Sequence, residues 1–344
     1  MELDKMIDAS KMEALKKNID GAKRFAVLVH RNPDGDAIGS SLALMQYLAA
    51  MGKEAKVIVP NDFPDFLKWM PAADEIIIYE SQKQAAVDYL HSVDVVFCLD
   101  FNALSRISEL GTVVAGLAVP RLLVDHHLQP EEGFDVQISE PAACSTAELV
   151  FHIIYELGGL QALSKNIAEC IYVGIMTDTG NFAYASNRKD IYIIVAMLLE
   201  AGVDKDITYR KVFYNATLNK MKLTGFVMYE KLRVFSACNA ALMTLTYKDL
   251  RRFNAAKGDT EGLVNVPLQI KGIRFSCLLR EEVPGKVNVS LRSVDDFPCN
   301  EVAAEFFCGG GHKNASGGEV YGTLDYAVER FKAAIAKYKS KLTE

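Results

Sequence analysis

Short β-rich runs alternate with helix-period segments through the first 205 residues, and this alternation is what most narrows the folds open to the chain. Phe25–Val29, Ala55–Val59, Glu75–Tyr79, Val93–Leu99 and Arg121–Val124 read as strands. From Ala37, the apolar residues Ile38, Leu42, Met45 and Ala49 recur at helical spacing until Gly52 stops the segment. Ser145-Thr146-Ala147-Glu148 has the form of a capping box and opens a helix expected to reach about Leu157, ahead of Gly158-Gly159. Further helices are expected near Leu3–Asn18 and over Lys165–Thr177. Strands that alternate with helices build βαβ units, so the pattern predicts an α/β domain with a mainly parallel sheet flanked by helices.

The texture changes after about residue 205. Residues 206–224 read as a helical connector. Strand candidates then crowd together at Leu232–Phe235, Ala240–Tyr247, Ile273–Leu279 and Lys286–Ser290. Glu282-Val283-Pro284-Gly285 is a hairpin turn signal, and Leu324–Lys341 reads as a closing amphipathic helix. The expected organisation is therefore a domain over 1–205, the connector 206–224, and a smaller α/β domain with a mixed sheet over 225–344. A length of 344 residues suits two domains. With half the residues apolar and 24% charged, a largely disordered chain is excluded. The apolar run Ile191–Leu199 is far short of the roughly 20 residues that span a bilayer, and the charged N-terminus lacks a signal core. Seven scattered cysteines without a C-x-x-C pair argue against disulfides and thiolate zinc, and they suit a reducing cytoplasm.

Four polar clusters fall at strand ends or helix starts, the edge where open α/β sheets bind ligands. They are His30-x-x-x-Asp34-x-Asp36; Asp100 after Val95–Leu99; Asp125-His126-His127 after Leu122–Val124; and Asp178 in Thr177-Asp178-Thr179-Gly180. Taken singly, an Asp after a strand is more often a helix cap or a turn residue. Together they gather four or more carboxylates and two imidazoles, which repel unless protonated or neutralised by a cation. Carboxylate and imidazole without thiolate suit Mn²⁺ or Mg²⁺, with Fe²⁺ or Co²⁺ as further alternatives, better than structural zinc. The donors exceed the needs of one ion. Two divalent ions sharing a carboxylate would use them all, acidify a water and clamp the oxygens of a displacement at phosphorus.

The second half carries different signals. Residues 221–344 have a net charge of +4 against −10 for the remainder, which suits an anionic substrate but also arises by simple drift between domains. Cys308-Gly309-Gly310-Gly311-His312-Lys313 places backbone N–H groups without Cβ obstruction beside two basic side chains. The bland reading is a flexible turn. Val287–Ser293 alternates as a strand and carries Arg292 to one face, where it suits bidentate phosphate contact or is an ordinary surface residue.

The four acidic motifs, in this order, resemble those of the DHH phosphoesterase superfamily. Arg292 in its strand and the Gly-Gly-Gly-His segment resemble the DHH-associated C-terminal substrate domain. Together the likeness covers nearly the whole chain and is greatest to the nanoRNase type, a bifunctional oligoribonuclease and 3′-phosphoadenosine 5′-phosphate phosphatase. RecJ-type exonucleases share both domains but are longer, and manganese pyrophosphatases lack the glycine motif. The resemblance implies that His30 and Asp34 hold one metal, that Asp36, His126 and Asp178 hold the other, and that Asp100 bridges. It implies that His127 faces the substrate phosphate as acid or electrostatic stabiliser, that Asp125 orients the histidine pair, and that Arg292, Gly310, Gly311 and His312 bind substrate. His91 and His152 match nothing, and His152 reads as a packing residue.

The expected function is hydrolysis of short RNA, about two to five nucleotides, and of 3′-phosphoadenosine 5′-phosphate. No stable complex with long nucleic acid and no membrane association are expected. Hydrolysis of cyclic or linear dinucleotide messengers is the alternative within the enzyme class. A nucleotide-binding protein without turnover is the alternative of another class, and the complete ligand set argues against it. The oligomeric state stays open, a homodimer included.

Overall fold

The structure is a computed structural model that describes residues 3–256 and 258–343. The chain divides into two compact units, Met1–Asn215 and Ala216–Glu344. The first runs α1 (Ala9–Gly21), β1 (Arg24–Leu28), α2 (Gly35–Ala50), β2 (Glu54–Val59), β3 (Ile77–Ile78), α3 (Lys83–Leu90), β4 (Val95–Leu99), α4 (Glu109–Ala115), β5 (Arg121–Asp125), β6 (Val136–Ser139), α5 (Thr146–Glu156), α6 (Lys165–Asp178), α7 (Lys189–Glu200) and α8 (Lys205–Phe213). Its six strands are ordered β3-β2-β1-β4-β5-β6, and every pairing is parallel. All five residues of β4 are buried, as befits a parallel strand covered on both faces. Phe25, Val27, Phe97 and Leu99 pack on one face against α2, α5 and α6, while Ala26, Leu28, Val96 and Cys98 face α3 and α4.

The strand order reverses between β1 and β4, and ligands in open parallel sheets bind in the crevice beyond the strand ends at such a point. His30 follows β1 and Asp100 follows β4, so the polar clusters flank the reversal. Helices α2 and α6 cross closely over it. A Cβ on Gly39 would meet the Cys170 carbonyl at 2.5 Å and the Gly174 nitrogen at 2.9 Å. Both are backbone atoms and cannot swing aside. Gly39→Ala is therefore expected to destabilise the protein by about 1–3 kcal/mol through overpacking. A fall in the urea midpoint at unchanged slope would show it, whereas wild-type stability would mean that the crossing yields freely.

The second unit comprises α9 (Leu218–Phe226), β7 (Arg233–Phe235), β8 (Ala240–Leu245), α10 (Tyr247–Arg252), β9 (Phe275–Val283), β10 (Lys286–Ser293), α11 (Cys299–Phe306), β11 (Gly310–His312), β12 (Ala315–Tyr321), α12 (Leu324–Lys337) and α13 (Lys339–Thr343). Its sheet is ordered β11-β12-β10-β9-β8-β7, mixed because β8 and β9 are parallel and the other pairs antiparallel. Leu291, Phe275, Phe297 and Phe331 anchor a core under α11 and α12. Among the described residues, no helix is long and apolar enough to cross a membrane.

Several local expectations need correction. The first helix starts at Ala9, because Asp8 caps it and accepts from the Ser10 N–H. Glu75–Tyr79 yields only the two paired residues of β3. The edge strand β6 was not expected. The closing helix breaks at Tyr338 and resumes as α13. The connector region is helical, as α8 and α9, and the division between the units falls inside it.

Candidate metal centre

Each histidine of the first unit's cluster is oriented by the acceptor at its Nδ1. In His30 this atom lies 2.9 Å from the Arg31 carbonyl oxygen, and a carbonyl only accepts. Nδ1 therefore carries a proton, and Nε2 is the nitrogen that faces the carboxylates. It lies 3.4 Å from Asp100 and 3.8 Å from Asp34. His126 repeats the arrangement, with Nδ1 3.4 Å from the Ala143 carbonyl oxygen. Its Nε2 lies 3.2 Å from Asp178, 3.6 Å from Asp100 and 4.0 Å from Asp36. His127 differs, because its Nδ1 lies 2.7 Å from Asp125 Oδ1, a buried carboxylate at the end of β5.

The carboxylates are held by backbone. Asp34 caps α2, its Oδ1 accepting from the N–H groups of Asp36 and Ala37 at 3.1 Å each. The cap reading of this residue and its place in the cluster are thus compatible. Asp36 sits one step inside α2, fully buried, and accepts from the N–H groups of Thr146 at 2.6 Å and Ala147 at 2.9 Å. Asp100 leaves β4 with a left-handed φ of 62°, a conformation that Asp tolerates better than most residues. Its Oδ1 accepts from the Thr146 hydroxyl at 3.1 Å. Asp178 ends α6.

Three overlapping groups result: His30, Asp34 and Asp100; Asp36, His126 and Asp178; and Asp100, His126 and His127. Within each, ligand atoms lie within 4.8 Å of one another. Asp34, Asp36, Asp100 and Asp178 each form an ion pair with a histidine of the cluster. Burial first, then the neighbouring carboxylates, pushes Asp36 and Asp178 well above the usual carboxylate range. Burial opposes charge on His30, yet Asp100 and Asp34 carry it up to about 11. Asp100 is held well below the usual range by His30, His126 and His127, against its burial. The cluster thus gathers negative charge in a buried place. Its oxygen and imidazole donors, without a thiolate, fit a divalent cation.

In the sequence Thr146 reads only as part of a helix start. Ser145 does cap α5, accepting from the Glu148 N–H at 3.1 Å, but Glu148 reaches back to the Cys144 N–H at 2.7 Å and not to Ser145. Gly174 has a similar hidden role, since a Cβ there would come within 2.8 Å of Asp36 Oδ1. His152 is buried within α5 and His91 ends α3, both outside the three groups.

In the second unit, Arg292 of β10 lies opposite Ala315 of β12, which lies opposite His312 of β11. Residues in one cross-strand row point to one face, so Arg292 and His312 share the face opposite Leu291 and the core. The neighbouring row is Ser290, Gly317 and Gly310, almost without side chains. Gly310 and Gly311 belong to an edge strand and not to a flexible turn, the bland reading of the motif. A Cβ on Gly311 would meet the Ala315 carbonyl at 2.7 Å, so close strand approach demands that glycine, while Gly310 faces open space. Lys313 is paired with Asp296 at 2.8 Å.

The DHH family, N-terminal domain, matches residues 24–175, and the DHHA1 domain matches 240–344. A crystal structure of an exopolyphosphatase-related protein from Bacteroides fragilis aligns with a TM-score of 0.96 at 47% identity, over 99% of this chain and 100% of its own. The bifunctional oligoribonuclease and PAP phosphatase NrnA of Thermus thermophilus is 30% identical over 311 residues, covering 90% of this chain and 88% of the relative. The cyclic-di-AMP phosphodiesterase PdeA of Listeria monocytogenes is 25% identical over 312 residues, covering 87% of this chain and 45% of the relative. With these likenesses spanning both units, the chain belongs to the DHH family and is a phosphoester hydrolase.

Proposed function

We propose that the protein hydrolyses RNA of about two to five nucleotides to mononucleotides and removes phosphate from 3′-phosphoadenosine 5′-phosphate. The observation that carries this reading is the set of three overlapping carboxylate–imidazole groups at the reversal of the parallel sheet. Two divalent cations, when bound there, would supply Lewis acidity, an acidified water and a clamp on the phosphoryl oxygens. His30 and Asp34 would take one cation, Asp36, His126 and Asp178 the other, with Asp100 shared. Mn²⁺ suits these mixed donors best, ahead of Mg²⁺ and Co²⁺. The hydrogen bonds at Nδ1 fix which nitrogen of His30 and His126 meets a cation. His127 stands on Asp125, and this support raises its affinity for a proton against the effect of burial. It would stabilise or protonate oxygen at the attacked phosphate. The name of the Thermus relative supports this choice of substrates. Seven cysteines without a disulfide support residence in a reducing cytoplasm.

The test is Mn²⁺-dependent release of mononucleotides from two- to five-nucleotide RNA, beside phosphate release from 3′-phosphoadenosine 5′-phosphate. Activity on neither would overturn the reading. The name of the Listeria relative favours a second one, hydrolysis of cyclic dinucleotides. Turnover of cyclic di-AMP without activity on short RNA would establish that reading instead.

The row that contains Arg292 and His312 would grip a phosphate remote from the attacked bond, with Gly310 and Gly311 leaving room beside it. Such contacts position substrate without acting on the reacting bond. Arg292→Ala is therefore expected to impair dinucleotide cleavage far more than cleavage of bis-p-nitrophenyl phosphate, which has no second phosphate to hold. The salt dependence of dinucleotide cleavage should weaken with it. Equal losses on both substrates would make Arg292 a support of the fold. No loss on either would return it to an ordinary surface position.

A further inference from the structure

The first turn of α5 touches two of the proposed ligands at once. The N–H groups of Thr146 and Ala147 take one oxygen each of Asp36, at 2.6 and 2.9 Å. The hydroxyl of the same Thr146 donates to Asp100 Oδ1 at 3.1 Å. Thr146 and both carboxylates are buried, so water does not compete for these bonds. Asp36 and Asp100 come from different places in the chain, the start of α2 and the end of β4, and repel each other when charged. A helix N-terminus carries partial positive charge, and a hydroxyl has one proton to give. Both therefore fix carboxylate oxygens in place while consuming only one lone pair of each oxygen.

We propose that Thr146 is a positioning residue that sets Asp36 and Asp100 at metal-binding separation before any cation arrives. The proposal rests on the reading of those two carboxylates as metal ligands. The backbone bonds to Asp36 survive any substitution at Thr146, but the bond to Asp100 depends on the hydroxyl. That bond directs Asp100 Oδ1 toward His126, whose Nε2 is 3.6 Å away. Without it, Asp100 keeps its place in the chain and loses its orientation. Partners that orient metal ligands typically contribute about 10–100-fold to metal affinity.

The variant Thr146→Val is close in shape to threonine, keeps the N–H and lacks the hydroxyl. Thr146→Ser retains the hydroxyl and drops the methyl group. Mn²⁺ affinity of the full chain should be measured by calorimetric titration of metal-free protein, with thermal unfolding of the metal-free chain as a control on folding. Thr146→Val is expected to bind Mn²⁺ about 10–100-fold more weakly. Thr146→Ser is expected to recover most of that loss, and the Mn²⁺ concentration for half-maximal activity should rise in Thr146→Val. If Thr146→Val binds Mn²⁺ like wild type, the proposal is overturned while the ligand reading stands, provided that Asp100→Ala has lost metal in the same assay. If Asp100→Ala also binds normally, the ligand reading falls and the proposal with it. If Thr146→Ser is as weak as Thr146→Val, packing and not the hydroxyl is responsible, which also overturns the proposal. If Thr146→Val fails to fold, Thr146→Ser and Thr146→Ala carry the same comparison.

Discussion

Asp100→Ala is expected to abolish phosphoester hydrolysis and to lower metal content in the same protein. Asp100 is the carboxylate common to two groups, with His30 and Asp34 on one side and His126 and His127 on the other. Its two oxygens divide accordingly, Oδ2 lying 3.4 Å from His30 and Oδ1 3.6 Å from His126. Removing the carboxylate withdraws a shared donor from both proposed cations and takes one carboxylate partner from each of three imidazoles. Metal analysis by mass spectrometry, beside turnover of a dinucleotide, would check both expectations. Asp100→Asn separates charge from shape, since it can still accept from Thr146 but brings no negative charge. It should bind less metal than wild type and turn over far more slowly. An alanine variant that keeps both metal and full activity would overturn the bridging assignment.

His127→Ala should behave differently. Its Nδ1 is engaged with Asp125 at 2.7 Å and lies 3.8 Å from Asp100, so its ring is held by a carboxylate outside the three groups. Loss of a positioned acid or electrostatic stabiliser should reduce turnover by about 10²–10⁴-fold. Metal content should stay near that of wild type. The geometry leaves a sharp alternative, because His127 also falls in a group with Asp100 and His126 whose atoms lie within 4.8 Å of one another. A variant that loses its metal would assign His127 as a ligand and divide the adjacent pair the other way. Measuring metal content and kcat on one preparation distinguishes the two.

The ionisable residues of this centre were legible in the sequence because each stands where an apolar strand or helix ends, and a charge there needs a reason. His30, Asp34, Asp36, Asp100, His126, His127 and Asp178 all come together in the fold. What the sequence hid is the neutral scaffolding. Thr146 reads as part of a helix start, and a hydroxyl in that position has a sufficient local explanation. Gly39 and Gly174 lie inside helices, where glycine costs stability, and they let α2 and α6 approach closely. The strand β6 has four residues at the sheet edge behind a polar stretch, too short for its alternation to stand out. The bland reading of the Gly-Gly-Gly-His motif is a flexible turn, because glycine is permissive. Pairing with β12 made it an edge strand, an outcome that depends on residues beyond the motif itself.

The reversal of strand order between β1 and β4 also governs when the centre comes into being. A ribosome delivers His30, Asp34 and Asp36 early, with β1 to β3 forming one wing of the sheet. Asp100 and His126 arrive with the other wing, and Asp178 only at the close of α6. On the proposed ligand set, a nascent chain has no finished cation site until α6 has settled against α2. Cations then bind the completed unit and not its precursors, and at a hundredfold excess over Kd they stabilise it by about 2.7 kcal/mol. Supply of the cation would thereby set how long the folded enzyme persists as well as how fast it turns over.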